Sequence, residues 1–220
     1  MRWDLLLGRL YYGAQPRIDR EKRRMGCIGD SITFGAGVVN TRKANAWPFL
    51  LQKSLGDGWQ VFDYGVSGAT LQKEGHFPYV KYGFLPHFRR CRPELVTLML
   101  GTNDTKPFNW DRERFAREYD EAVEQLLALP WQPRLVLMTP PRAFPDSATG
   151  VIGFDIVEDT IVNGVRPTVL AAGEKYGVPV IDLYAFTEDH PEYFIDGVHP
   201  NREGNRAIAD YLLKTLPLAR

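Results

Sequence analysis

The chain has little to offer cofactor or polyanion chemistry. It holds two cysteines, Cys27 and Cys91, and four histidines among 220 residues. Their spacing matches no metal-ligand pattern and no His/Cys/carboxylate cluster stands out, so no metal site is expected. Both cysteines lie in or beside apolar segments and read as core thiols, because one candidate bridge is weak support for an oxidising compartment. Neither sign of charge is in excess: Lys plus Arg and Asp plus Glu are both 27. That balance points to neither nucleic acid nor an anionic membrane surface as a partner. No apolar run approaches the roughly 18 residues of a membrane span. Asp4 and Arg9 interrupt the apolar N-terminus, and no clean small-residue cleavage site follows it, so a cytoplasmic protein is expected. Repeats, low-complexity tracts and long linkers are also lacking. This leaves one domain over residues 23–220 behind an extension over residues 1–22. The apolar residues of that extension, among them Trp3, Leu5, Leu10 and Tyr11, are too many for a solvated tail. They are expected to pack on the domain or on a partner subunit of a homo-oligomer.

What is present is an alternation of two periodicities. Five short apolar runs read as strands covered on both faces: Met25–Ile28, Gln60–Tyr64, Leu95–Leu100, Leu135–Met138 and Val178–Leu183. Helical patterns fall between them. Phe115, Tyr119, Ala122, Val123, Leu126 and Leu127 form one apolar stripe, and Ile208, Tyr211, Leu212 and Leu216 form another. Weaker helices are expected over about Ala44–Leu55 and Ile156–Tyr176, the second interrupted near Asn163-Gly164 and Pro167. Alternating strands and helices imply an α/β fold with a five-stranded parallel sheet. In such a sheet, ligands bind beyond the carboxyl ends of the strands.

Chemistry-bearing residues gather at those ends. Gly29-Asp30-Ser31, Gly65-Val66-Ser67-Gly68 and Gly101-Thr102-Asn103-Asp104 each begin where an apolar run stops, and Asp196-Gly197-Val198-His199 precedes the last helix. Ser31 offers a hydroxyl nucleophile, although serine also caps helices. His199 offers a base near neutral pH, and Asp196 can accept the other imidazole N–H and fix its tautomer. Gly68 lets a backbone N–H approach a substrate, and Asn103 carries a neutral amide donor, which together suit an oxyanion hole. Each block alone also fits a turn or a cap. All four in one order at one sheet edge fit a serine hydrolase site better.

These four blocks, with Pro200 after His199, resemble the signature blocks of the SGNH-hydrolase (GDSL-esterase) superfamily, from about Met25 to Leu216. The resemblance implies a flavodoxin-like three-layer α/β/α sandwich without metal or organic cofactor. It implies Ser31 as nucleophile and first oxyanion N–H, Gly68 and Asn103 as the other donors, His199 as base and Asp196 as its orienter.

The substrate is less constrained. The segments Leu71–Cys91 and Arg142–Asp155 are expected to shape the pocket, and Asp30, Trp47, Trp110, Arg142 and Phe144 are the candidate substrate contacts. The stretch Gly101–Trp110 resembles bacterial relatives of carbohydrate and sialate acetylesterases. With no long apolar lid in sight, the expected reaction is removal of short acyl groups, acetyl above all, from a soluble sugar or oligosaccharide. A lysophospholipase or thioesterase of the same superfamily is an alternative. So is a non-catalytic carbohydrate- or flavin-binding protein, though the first loop lacks a phosphate-loop lysine and a Gly-x-Gly-x-x-Gly pattern. An α/β-hydrolase built on Ser67 fails because Gly65–Ala69 lacks the second glycine of a nucleophile elbow.

Overall fold

Alternating side chains on each strand fall into two separate apolar clusters, and this produces the layers. The computed structural model describes residues 15–81, 84–146 and 148–218. Its strands are β1 (Arg23–Gly29), β2 (Trp59–Gly65), β3 (Leu95–Met99), β4 (Arg134–Met138) and β5 (Val180–Ile181). All neighbours are parallel, in the order β2-β1-β3-β4-β5. Val96 and Leu98 of β3 and Leu135 and Leu137 of β4 join one cluster; Leu95, Met99, Val136 and Met138 join the other. A strand buried on both sides needs a helical layer on each, as the period-2 geometry requires.

The helices that frame the sheet include α1 (Ser31–Phe34), α2 (Trp47–Leu55), α3 (Phe84–Cys91), α4 (Arg112–Leu127), α5 (Arg166–Tyr176), α6 (Leu183–Thr187) and α7 (Arg202–Thr215). Phe115, Tyr119 and Val123 of α4 pack with Phe88 of α3 and Val169 of α5 on the first face. Trp47 and Leu51 of α2 pack with Ile208 and Leu212 of α7 on the second. Each fully buried side chain of this size contributes about 1.5–3 kcal/mol. The expected three-layer α/β/α sandwich is therefore the observed one. Cys27 and Cys91 are buried free thiols, as expected.

Three boundaries differ from the sequence-based expectation. The fifth strand is only two residues long, because Pro179 lacks an N–H and the Asp182 side chain turns to cap α6 through Ala185 N. The stretch expected as one helix over Ala44–Leu55 is two, Arg42–Asn45 and then α2, separated by Ala46 in an extended conformation. The stretch Ile156–Tyr176 contains a π-turn over Ile161–Val165, which spans the expected break at Asn163-Gly164. Pro167, however, does not interrupt the helix; it stands in the first turn of α5, where its missing N–H is harmless.

Of the N-terminal extension, residues 1–14 lie outside the described residues. The following stretch runs along β2: Gln15 Nε2 donates to Asp63 O at 2.7 Å, and Gln60 Nε2 donates to Arg17 O at 2.7 Å. Among the described residues, no helix is long and apolar enough to cross a membrane.

Strand register sets the stage for the site. Gly29, the last residue of β1, pairs with Gly65 at the end of β2 and with Met99 at the end of β3. Three of the four sequence blocks therefore leave the sheet at one level, side by side.

Candidate active site

Ser31 opens α1 directly after β1, and Asp30 caps this turn by accepting Ile32 N at 2.9 Å. Arg42 anchors the turn from below. Its guanidinium donates to Phe34 O at 2.5 Å and to Asp63 Oδ2 at 2.6 Å, and it lies 3.9 Å over the Phe34 ring. Burial pushes the Asp63 carboxyl up to about 6, against the lowering effects of Arg42 and the Gly65 N–H.

The imidazole of His199 bridges the first and last blocks. Its Nδ1 lies 2.7 Å from Asp196 Oδ2 and its Nε2 lies 2.9 Å from Ser31 Oγ. An ionised carboxylate only accepts, so Nδ1–H is the donor and Nε2 of the neutral ring accepts the Ser31 O–H. The other oxygen of Asp196 accepts Val198 N at 3.0 Å and His199 N at 2.7 Å, closing an Asx turn. Burial alone would raise the Asp196 carboxyl, but its hydrogen bonds from His199 and Val198 hold it below the ordinary value. The turn also needs Gly197, whose φ is +79° and whose Cβ position lies 2.0 Å from Phe144 O. Only a residue without a side chain fits there.

The oxyanion candidates come from the second and third blocks. Gly68 has φ +79° and open space around it; the nearest atom to its Cβ position is Phe77 Cδ1 at 3.9 Å. Asn103 Nδ2 donates to Ala69 O at 3.2 Å, which uses one of its two hydrogens and leaves the second for a ligand. Asn109 then ties this loop together. Its Nδ2 donates to Asn103 O, its Oδ1 accepts His76 N, both at 2.7 Å, and its carbonyl accepts Gln72 Nε2 at 2.8 Å. Asp104 adds a carboxylate brace, accepting Leu71 N at 2.9 Å and Gln72 N at 2.8 Å. Burial pushes Asp104 up to about 6, against the lowering effect of those donors.

The structure thus brings Ser31, His199 and Asp196 into one hydrogen-bonded chain, and links the Gly68 loop to Asn103. The Ser67 alternative is disfavoured, since the imidazole faces Ser31 after β1 while Ser67 follows the edge strand β2. Among the described residues, no cluster of three or more His, Cys, Asp or Glu could hold a metal ion.

The structure places the expected substrate contacts unequally. Asp30 and Trp47 are fully enclosed. Asp30 is spent on the α1 cap, and burial raises its carboxyl above the ordinary value. Trp47 is core, and its backbone N–H donates to Asn205 Oδ1 at 3.0 Å. Trp110 is half-buried, with its ring against Phe115 at 5.4 Å and against Gly164 of the π-turn. Arg142 and Phe144 support the His199 loop from behind. Arg142 Nη1 donates to Glu188 O at 2.9 Å and its guanidinium lies over the Phe144 ring, while Phe144 N donates to Gly197 O at 2.8 Å. In the Leu71–Cys91 segment, Phe77 lies beside Gly68, whereas Tyr79, Phe84 and His87 pack around Tyr64 or hydrogen-bond to it. Tyr82 lies outside the described residues.

Asp104, Asn109 and Phe154 are the neighbours that the sequence reading misses. Phe154 is half-exposed and sets its ring edge-to-face against His199 at 4.9 Å. It and Asp155 have φ of +63° and +58°, a left-handed pair of non-glycine residues costing of order 1–3 kcal/mol each. Asp104 stands beside Asn103 in its block, and Asn109 and Phe154 fall inside the Gly101–Trp110 and Arg142–Asp155 stretches, but nothing local singles either residue out.

Known proteins share this chain's family and its fold. Residues 27–207 match the GDSL-like Lipase/Acylhydrolase family. An acetylxylan esterase of Xylanibacter ruminicola is 31% identical over 211 residues, covering 86% of this chain and 42% of that protein. The chain thus spans less than half the length of that curated relative. The aryl esterase of M. smegmatis superposes with a TM-score of 0.70 at 22% identity, covering 88% of this chain and 98% of that one. A carbohydrate acetylesterase family member from Sinorhizobium meliloti does so with a TM-score of 0.69 at 20% identity, covering 88% and 97%.

Proposed function

The chain belongs to the GDSL-like lipase/acylhydrolase family, and from this we propose that it is a serine ester hydrolase removing short acyl groups, acetyl above all, from a sugar or oligosaccharide. The observation that carries the reading is the Asp196–His199–Ser31 chain, with contacts of 2.7 and 2.9 Å. In this reading His199 Nε2 takes the Ser31 proton as Oγ attacks the ester carbonyl carbon. Charge developing on the carbonyl oxygen is met by N–H donors of Ser31 and Gly68 and by the Asn103 amide. The tetrahedral species collapses, the C–O bond to the alcohol breaks, and His199 returns its proton to the leaving oxygen. Water then attacks the acyl-Ser31 ester with His199 again as base, releasing the acid and restoring the serine.

Acetyl and sugar preferences draw support from the acetylxylan esterase relative. A hydrolysis screen over acetylated sugars, aryl esters and thioesters of graded acyl length tests them. Best turnover on acetylated sugars is expected; a preference for long acyl chains or thioesters would contradict it.

A further inference from the structure

Resting on the ester-hydrolase reading, we infer that Phe154 is a platform for the face of a ring, sugar or aryl, in the alcohol half of the substrate. The two halves of an ester bound at Ser31 have separate neighbourhoods. The carbonyl oxygen turns toward Gly68 and Asn103, where Phe77 lies nearest Gly68. The alcohol oxygen must instead receive its proton from His199 Nε2, so it lies within hydrogen-bond reach of that imidazole. Phe154 is stationed at the same imidazole, 4.9 Å away centroid to centroid and at 77°. Whatever is attached to the leaving oxygen on that side meets its ring.

Folding does not explain this placement. Phe154 is 54% exposed, so its ring gains little from burial. Its backbone is left-handed, a conformation that favours glycine, and so is that of Asp155. The turn is closed by Ile156 N donating to Gly153 O at 3.3 Å, and its exit is tied to the loop after β3, where Val157 N donates to Thr105 Oγ1 at 3.2 Å. An exposed aromatic held in a costly conformation against the candidate base is what a ligand contact requires. The apolar C–H face of a pyranose and the face of an aryl ring are the surfaces that an aromatic side chain recognises.

The test compares kcat/KM for two ring esters, a methyl O-acetyl-xylopyranoside and benzyl acetate, with kcat/KM for open-chain 2-methoxyethyl acetate. Phe154→Gly removes the ring and suits the left-handed backbone, so it folds; Phe154→Leu keeps the apolar bulk; Phe154→Tyr keeps the flat ring. The ring-over-open-chain preference is expected to fall about fivefold in the Gly and Leu variants and to return in the Tyr variant. A fall confined to one ring ester assigns the platform to that ring class. An undiminished preference, or equal losses on ring and open-chain esters, would overturn the inference. Saturation transfer from each variant to benzyl alcohol and to methyl xylopyranoside needs no turnover. It therefore judges the ring contact even if Ser31→Ala hydrolyses esters as the parent does, the result that defeats the hydrolase reading itself.

Discussion

The carboxylate of Asp104 holds the backbone N–H of Gln72 at 2.8 Å, joining the loop after β3 to the loop that carries Gly68. Together with its bond to Leu71 N at 2.9 Å, this contact spaces the Gly68 N–H from the Asn103 amide. The cost is a buried carboxyl pushed up to about 6, as Asp63 also is.

That cost has a pH signature. Both groups bind a proton more tightly when folded than at their ordinary value of 3.8 when unfolded. Between about pH 4 and 6 the folded chain therefore carries more protons, and stability falls as pH rises through that window. Each group contributes up to about 3 kcal/mol to the fall. Denaturant unfolding at a series of pH values is expected to show this slope in the parent and a clearly shallower one in Asp104→Asn. An identical slope in both would show that Asp104 is not the titrating group.

Asp196 has two separable tasks, because one oxygen closes the Asx turn and the other meets His199. Asp196→Asn keeps an acceptor for the turn but loses the carboxylate. Its kcat/KM is expected to drop roughly 10³–10⁴-fold with little change in Tm. Asp196→Ala should lose both activity and Tm. Equal Tm for the two variants would mean that the turn does not depend on this side chain.

The two glycines with φ of +79° differ in their surroundings. At Gly68 an added methyl group meets only Phe77 Cδ1 at 3.9 Å, so Gly68→Ala costs the backbone conformation, about 1–2 kcal/mol. At Gly197 it would lie 2.0 Å from Phe144 O, so Gly197→Ala must displace the His199 loop as well. Thermal melts are expected to rank Gly197→Ala well below Gly68→Ala. The reverse order would contradict the close approach of Phe144.

Asn103→Ala removes one candidate oxyanion donor and its bond to Ala69 O. A loss of about 10²–10³ in kcat with a smaller change in KM is expected from steady-state kinetics on an acetyl ester. A change confined to KM would assign Asn103 to ground-state binding instead.

Much of this site is legible from sequence because the four blocks need only local context. Three end apolar runs, and parallel pairing brings Gly29, Gly65 and Met99 level without further information. Apolar runs mark the strands because both faces are covered, and they fail for β5, where Pro179 and the capping Asp182 lie inside the apolar stretch. Asp30 and Trp47 are the expected contacts that the structure encloses. Neither residue type nor place in the sequence says which way a side chain turns, and both turn inward. Asn109 and Phe154 act through contacts dozens of residues away, with His76 and His199, that no local pattern encodes.

The most direct measurement is mass spectrometry of the acid-quenched chain during turnover of 4-nitrophenyl acetate, with peptide mapping of the label. The expected result is one acetyl group on Ser31 in the parent. Ser31→Ala should carry none, and its hydrolysis should fall by roughly 10⁴–10⁶. An acetyl group on Ser67 or elsewhere, or a Ser31→Ala variant that hydrolyses the ester at the parent's rate, would contradict the assignment.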